Sequence, residues 1–251
     1  MSTKKRLDHL ILEKGLAPSR QRGQALIMAG KVLVDGAIVD KPGTSVSIDA
    51  DIKVKGEDPA YVSRGGLKLA GALEALKISV QDLVCLDIGA STGGFTDCLL
   101  QHGAAKVYAV DVGYGQLAWR LRQDDRVVVI ERTNIRHMPA DCIAEAADLA
   151  TIDVSFISLR LVVPAVLKFL KPGGQILALI KPQFEVGKGK VGKGGVVRDA
   201  ALRESVINGL IEFFHQLGLA CGPVVPSSIL GPKGNQEYIL PLTMQNQRPP
   251  V

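Results

Sequence analysis

The stretch Leu86-Asp87-Ile88-Gly89-Ala90-Ser91-Thr92-Gly93-Gly94-Phe95-Thr96-Asp97 decides how this chain reads. The apolar run over 83–88, broken only by Asp87, has the length and composition of a buried strand. Glycines follow, and then a polar-to-apolar pattern that opens a helix. Strand, tight turn and helix N-terminus in that order make the layout of a nucleotide site in an open α/β sheet, where unpaired N–H groups at the helix start face an anion. Gly89 and Gly93 let the backbone approach a ligand closely.

The spacing narrows the choice. A dinucleotide fingerprint needs glycine at its first, third and sixth positions. Counted from Gly89, the third position is Ser91. A phosphate loop ends in Gly-Lys-Ser/Thr, but Gly94 is followed by Phe95. An acid on the strand with a looser glycine turn resembles motif I of S-adenosylmethionine-dependent methyltransferases. That resemblance implies a cofactor held around Asp87, Gly89, Ser91, Gly93, Gly94 and Phe95.

Outward from this motif the chain alternates. Strands are expected over 84–88, 106–112, 127–131, 149–153, 175–181, 218–225 and 237–242, and a helix over 64–76 with Ser63 as its cap. Such a βαβ rhythm implies a mostly parallel sheet covered on both faces. Ligands bind such sheets outside the carboxyl ends of the strands. Asp111 ends the second strand, where it can accept hydrogen bonds from both hydroxyls of a ribose. Asn134 follows the third strand within reach of an adenine edge, and Asp153 ends the fourth. Lys68 lies on the helix before the first strand, Lys181 closes the apolar run 176–180, and Glu237 opens the last strand.

Charge is distributed unevenly. Residues 1–31 hold seven basic side chains against two acids, a surplus equal to the formal net charge of +5 for the whole chain, so the remainder is neutral. A basic N-terminal segment points to a polyanion. The same segment reads as a helix over 6–15, a second over 20–29 capped by Ser19, two short strands around Asp35-Gly36, and a strand over 46–54. Arg6-Leu7-Asp8, Ser19-Arg20 with Arg22, Ile27, Gly30-Lys31-Val32, Val34-Asp35-Gly36 and Lys41-Pro42-Gly43 together resemble an S4 domain, an RNA-binding module. The resemblance implies contacts from Lys4, Lys5, Arg6, Arg20, Arg22 and Lys31 to RNA phosphates, contacts that position an RNA without reading its sequence. Arg64 and the lysines Lys188 and Lys190 of the Gly/Lys-rich stretch 187–195 extend the candidate RNA surface.

Four further segments carry a closer resemblance: Tyr61-Val62-Ser63-Arg64-Gly65-Gly66-Leu67-Lys68-Leu69, the motif I run, Ile180-Lys181-Pro182-Gln183-Phe184-Glu185, and residues 231–238. Over its full length the chain resembles the TlyA family, also labelled hemolysin, in which an S4 domain precedes an FtsJ-like 2′-O-methyltransferase domain. The implied fold is a Rossmann-like α/β methyltransferase sheet, mostly parallel with its last strand antiparallel, over 60–251, after a small α+β S4 domain over 1–59. The family's Lys-Asp-Lys-Glu tetrad falls on Lys68, Asp153, Lys181 and Glu237. The implied reaction is methylation of a cytidine ribose in ribosomal RNA, of the large subunit and in some members of the small one, with S-adenosylmethionine and without metal. A protein binding RNA without catalysis is the alternative.

Other classes are disfavoured. The four cysteines are scattered with no C-x-x-C pair, which fits reduced thiols in the cytoplasm. His9, His102, His137 and His215 are isolated, which argues against a metal cluster. No secretory signal or spanning segment is evident, against a membrane-lytic protein.

Overall fold

The computed structural model describes residues 3–17, 19–55, 59–187, 189 and 191–244. They divide into two compact units, residues 1–58 and 59–251.

The first unit runs β1 (Lys4–Arg6), α1 (Leu7–Glu13), α2 (Arg20–Met28), β2 (Val32–Val34), β3 (Ala37–Ile38), β4 (Ser45–Ser47) and β5 (Ile52–Val54). Its core is Leu7, Leu10, Ile11, Leu26, Ile27, Val32 and Ile52. Ser19 caps α2, its Oγ accepting the Arg22 N–H at 3.2 Å. Asp35 and Gly36 take the positive φ angles that the β2–β3 turn needs. Two expectations are corrected here. Arg6 belongs to an extended segment paired with Ser45, so the first helix starts one residue later. The alternation over 46–54 is two strands, β4 against β1 and β5 against β2. The chain turns between them, where Ser47 Oγ accepts the Asp49 N–H and Asp35 accepts that of Asp51.

The second unit continues with α3 (Gly65–Leu76), β6 (Val84–Ile88), α4 (Gly94–Gln101), β7 (Lys106–Val110), α5 (Trp119–Arg122), β8 (Val127–Ile130), β9 (Ala147–Ile152), α6 (Leu159–Val166), β10 (Leu170–Ile180), α7 (Pro182–Glu185), α8 (Ala200–Gln216), β11 (Leu219–Cys221), β12 (Val225–Pro226) and β13 (Tyr238–Met244). The sheet order is β11-β13-β10-β9-β6-β7-β8, with β12 also on β13. From β10 to β8 every pairing is parallel, and β13 lies antiparallel to β10. The expected strand over 218–225 is broken into β11 and β12, both on β13. Alternate residues of the strands feed two apolar layers, one including Leu86, Ile88, Ile152 and Phe214, the other Cys85, Leu69, Phe95 and Leu177. Strand order reverses between β6 and β9, and that switch opens a crevice at their carboxyl ends. Among the described residues no helix is long and apolar enough to cross a membrane, and no cluster of His, Cys, Asp and Glu suits a metal ion.

Candidate active site

Two cavities of about 530 Å³ each open at this crevice. Both are lined by Gly89, Ser91, Asp153 and Ser155, so they meet at the ends of β6 and β9. The first continues to Ser63, Arg64, Lys68, Gly94, Phe95 and Lys181. The second continues to Asp111, Gln116, Asn134 and Phe156.

The glycine turn is shaped by close packing. Gly89 has φ +83°, and a Cβ there would stand 2.5 Å from the carbonyl oxygen of Asp153. The turn therefore lies directly on the end of β9. Gly94 brings the starts of α3 and α4 together, since a Cβ would fall 2.9 Å from the Gly66 nitrogen. Ser63 is adjacent and does not cap α3. Its carbonyl accepts the Gly66 N–H, and its hydroxyl lies toward Gly94. Gly93 lines neither cavity and packs on Leu117 and Leu121.

Asp87 lines neither cavity. It is fully buried, accepting from Thr96 Oγ1 at 2.6 Å and Thr151 Oγ1 at 3.1 Å. Thr151 is its register partner on β9, so the side chain points across the sheet rather than out of its end. Burial pushes its carboxyl up to about 7, against the pull of the two threonine hydroxyls. Asp87 thus ties β6, β9 and α4 together beneath the turn. Asp111 faces the second cavity and is held by the N–H groups of Ser91 at 2.7 Å and Gly113 at 2.6 Å. Asn134 lines the same cavity, and its Oδ1 accepts the Arg136 N–H at 3.1 Å.

Two lysines and two carboxylates, drawn from four separate segments, form two ion pairs. Lys68 Nζ lies 2.5 Å from Glu237 Oε2, and both side chains are almost wholly buried. Lys181 Nζ lies 2.5 Å from Asp153 Oδ1 and donates to Ser155 Oγ at 3.1 Å. Asp153 Oδ1 has that ion pair but no directed hydrogen bond, and Glu237 Oε1 is also without one. Asp153 and Lys181 each stand one residue past a strand end, and Glu237 one residue before β13. The sheet fixes all three. Buried pairs of this kind contribute little net stability, because desolvation offsets most of the attraction.

Sequence reasoning missed Phe156 and Ser155. Phe156 is 90 % exposed with φ +64°, a rare backbone state for an aromatic residue. Its ring meets that of Phe184, centroid to centroid, at 4.8 Å. No pattern in the sequence separates an exposed aromatic from a core one.

In the first unit Lys4 and Lys31 are exposed, and Lys5 pairs with Glu13 at 2.8 Å. Arg6 and Arg20 converge on Asp8, which is buried and also receives Gln24 Nε2 at 2.8 Å. The hydrogen bonds from Arg6 are the largest influence holding the Asp8 carboxyl well below the usual range, and burial opposes them. Arg22 is half-buried, and in the second unit Arg64 is exposed and donates to the Leu230 carbonyl at 2.9 Å. Lys188 and Lys190 lie outside the described residues.

Comparison with known proteins adds family evidence to this geometry. The FtsJ-like methyltransferase profile matches residues 61–243, and the S4 domain profile residues 5–52. A Mycobacterium tuberculosis relative named 16S/23S rRNA (cytidine-2'-O)-methyltransferase TlyA is 49% identical over 249 residues, covering 99% of this chain and 93% of that one. Hemolysin A of Brachyspira hyodysenteriae is 43% identical over 235 residues, covering 93% and 98%. A solved Streptococcus thermophilus structure bearing the hemolysin label superposes with a TM-score of 0.74 at 44% identity, over 98% of this chain and 90% of that one. Matched along nearly its whole length and in both units, the chain belongs to the FtsJ-like methyltransferase family, in the TlyA group that carries an S4 domain ahead of the methyltransferase sheet.

Proposed function

We propose that this protein transfers a methyl group from S-adenosylmethionine to the 2′-hydroxyl of a cytidine in ribosomal RNA. The observation that carries this reading is the convergence of the Lys68–Glu237 and Lys181–Asp153 pairs beside two joined cavities. The name of the Mycobacterium tuberculosis relative supports the substrate class.

The second cavity fits the nucleoside part of the cofactor. Asp111 is held rigid by two backbone N–H groups, and a carboxylate so held keeps further lone pairs for two ribose hydroxyls. Asn134 offers an amide to a base edge. Gly89, Ser91 and Gly94, with the N–H groups at the start of α4, suit the carboxylate end. When bound, the cofactor supplies an electrophilic methyl on a sulfonium centre.

The chain's own residues prepare the acceptor. A ribose hydroxyl is a weak nucleophile and must be held in line within contact distance. Lys181 Nζ is fixed by Asp153 and Ser155 at the junction of the cavities. In its charged form it orients the hydroxyl and stabilises negative charge growing on the oxygen; in its neutral form it takes the proton. Glu237 holds Lys68 on the same cavity wall, placing a second positive charge toward the acceptor. Phe156 offers a flat face at the rim, where a base lifted from its stack finds a partner. The basic side chains of residues 1–31 supply phosphate contacts, as in other RNA-binding modules. Acting on ribosomal subunits, the protein would reside in the cytoplasm.

Mapping ribose methyls in ribosomal RNA from cells with and without the gene tests the reading. Loss of a cytidine 2′-O-methyl that returns with the wild-type gene is expected. An unchanged map contradicts it.

A further inference from the structure

Two segments meet at the junction of the cavities. One is 153–158, between β9 and α6; the other is Lys181 with α7. They touch at three places. Lys181 Nζ meets Asp153 and Ser155. The Phe184 ring meets Phe156. At the far end Glu185 accepts from Ser158 Oγ at 2.7 Å and from the Leu159 N–H at 2.8 Å. The first two meetings belong to the site already described, but Glu185 lines neither of its cavities.

The third has a physical reason to matter. The segment 153–158 carries an aromatic residue in the left-handed region, a conformation that surroundings must impose. Its start is fixed by the Asp153 N–H on the Ile88 carbonyl at 2.9 Å. Its end is fixed by Glu185, which satisfies an otherwise unpaired N–H at the start of α6. Ser158 Oγ accepts the Arg160 N–H at 3.1 Å, so its own proton is directed to Glu185. A carboxylate gives each donor its own oxygen, Oε2 to Ser158 and Oε1 to Leu159, whereas an amide in the same place would turn an NH2 group toward one of them. Arg160 draws the Glu185 carboxyl down through space, but its guanidinium donates to the Gly209 carbonyl and lies 4.9 Å from the Phe213 ring centroid, so the acid's direct partners are Ser158 and Leu159. Burial pushes the Glu185 carboxyl up, so the site holds an acid there against a desolvation cost.

We propose that Glu185 is a positioning residue for the transfer: by gripping Ser158 and Leu159 it closes a clasp that keeps Asp153, Ser155 and Phe156 in register with Lys181. The proposal rests on the methyltransferase reading above. It adds a residue that touches neither cofactor nor acceptor and acts through the backbone of a neighbouring segment.

The test is single-turnover methylation of unmethylated ribosomal subunits with labelled S-adenosylmethionine, at saturation, for wild type, Glu185→Gln, Ser158→Ala and the double variant. Cofactor binding stoichiometry is measured alongside by calorimetry. Glu185→Gln keeps the side-chain volume and is expected to slow transfer roughly tenfold or more while binding a full equivalent of cofactor. Ser158→Ala, which removes one hydroxyl, is expected to slow it about threefold, with the double variant no slower than Glu185→Gln. Rates for both single variants within about twofold of wild type overturn the proposal. So do fully multiplicative effects in the double variant, which make the two residues independent. So does a slow Glu185→Gln whose loss matches a loss of binding-competent protein while Ser158→Ala stays at the wild-type rate. A wild-type protein that transfers no methyl at all overturns the functional reading instead.

Discussion

Asp87 and Asp153 stand near the ends of adjacent strands and serve different purposes. Asp153 projects past β9 to the cavities, whereas Asp87 turns inward to Thr96 and Thr151. Their places at strand ends made both readable as cofactor ligands, because a sequence shows that an acid sits at a strand end but not which way it points. The register with Thr151 decides it. The Asp87 carboxyl, raised to about 7, has a consequence for stability. Its proton is held more tightly in the folded state than in the unfolded chain, so this group favours folding at low pH and the benefit fades as pH rises through about 7. Between pH 5 and pH 8 the loss is about 3 kcal/mol, and a fall in thermal midpoint over that range is expected. Asp87→Asn removes the titrating group and is expected to flatten that slope, as thermal unfolding at several pH values will show. At the same scale, Glu237→Ala leaves the Lys68 ammonium buried without its partner, a loss of about 3–5 kcal/mol. Glu237→Gln is expected to keep more of the fold while lowering methyl transfer, measured by denaturant unfolding beside single-turnover rates.

Among the elements, the arrangement depends on two helix starts lying side by side. The N-termini of α3 and α4 touch through Gly65, Gly66 and Gly94, and both border the first cavity. Gly94→Ala places a Cβ 2.9 Å from the Gly66 nitrogen, which is backbone and cannot swing away. Overpacking of that kind costs about 1–3 kcal/mol. The two helices are expected to part, and cofactor affinity measured by calorimetry to fall roughly tenfold. Much of this level was legible. The strand, turn and helix over 84–101 follow from an apolar run, glycines and a change of period, and the parallel strands follow from their Val/Ile/Leu-rich runs. The short elements were not. β1 is a basic tripeptide with no strand pattern, and the break over 48–51 comes from side-chain hydrogen bonds reaching back to Ser47 and Asp35. In the site, the types and positions of Lys68, Asp153, Lys181 and Glu237 were legible through family resemblance. Their pairing, and the clasp through Glu185, depend on tertiary interactions across as many as 169 positions, as for Lys68 and Glu237.

Over the whole molecule, a first-unit core separate from the two apolar layers of the second implies two cooperative units. Asp8→Asn removes the negative charge on which Arg6 and Arg20 converge and one of its two acceptor oxygens, and charged hydrogen bonds of this kind contribute about 1.5–3 kcal/mol each. The first unit alone is expected to unfold at lower temperature, seen as a shifted first transition in calorimetry with cofactor binding intact. The charge surplus in residues 1–31 gives a second expectation. Arg20→Ala with Arg22→Ala is expected to weaken RNA binding and to reduce the slope of log affinity against log salt by roughly one unit for each phosphate no longer neutralised. An unaltered slope removes those arginines from the binding surface. Methyl transfer governed by the two ion pairs is tested on the whole protein. Its most direct test is labelled-methyl incorporation into unmethylated ribosomal subunits by wild type and Lys181→Ala at saturating cofactor, with cofactor binding measured on the same samples. Incorporation by wild type at a cytidine 2′-oxygen is expected, and none above background by a Lys181→Ala protein that still binds cofactor. Undiminished incorporation by that variant takes Lys181 out of the transfer.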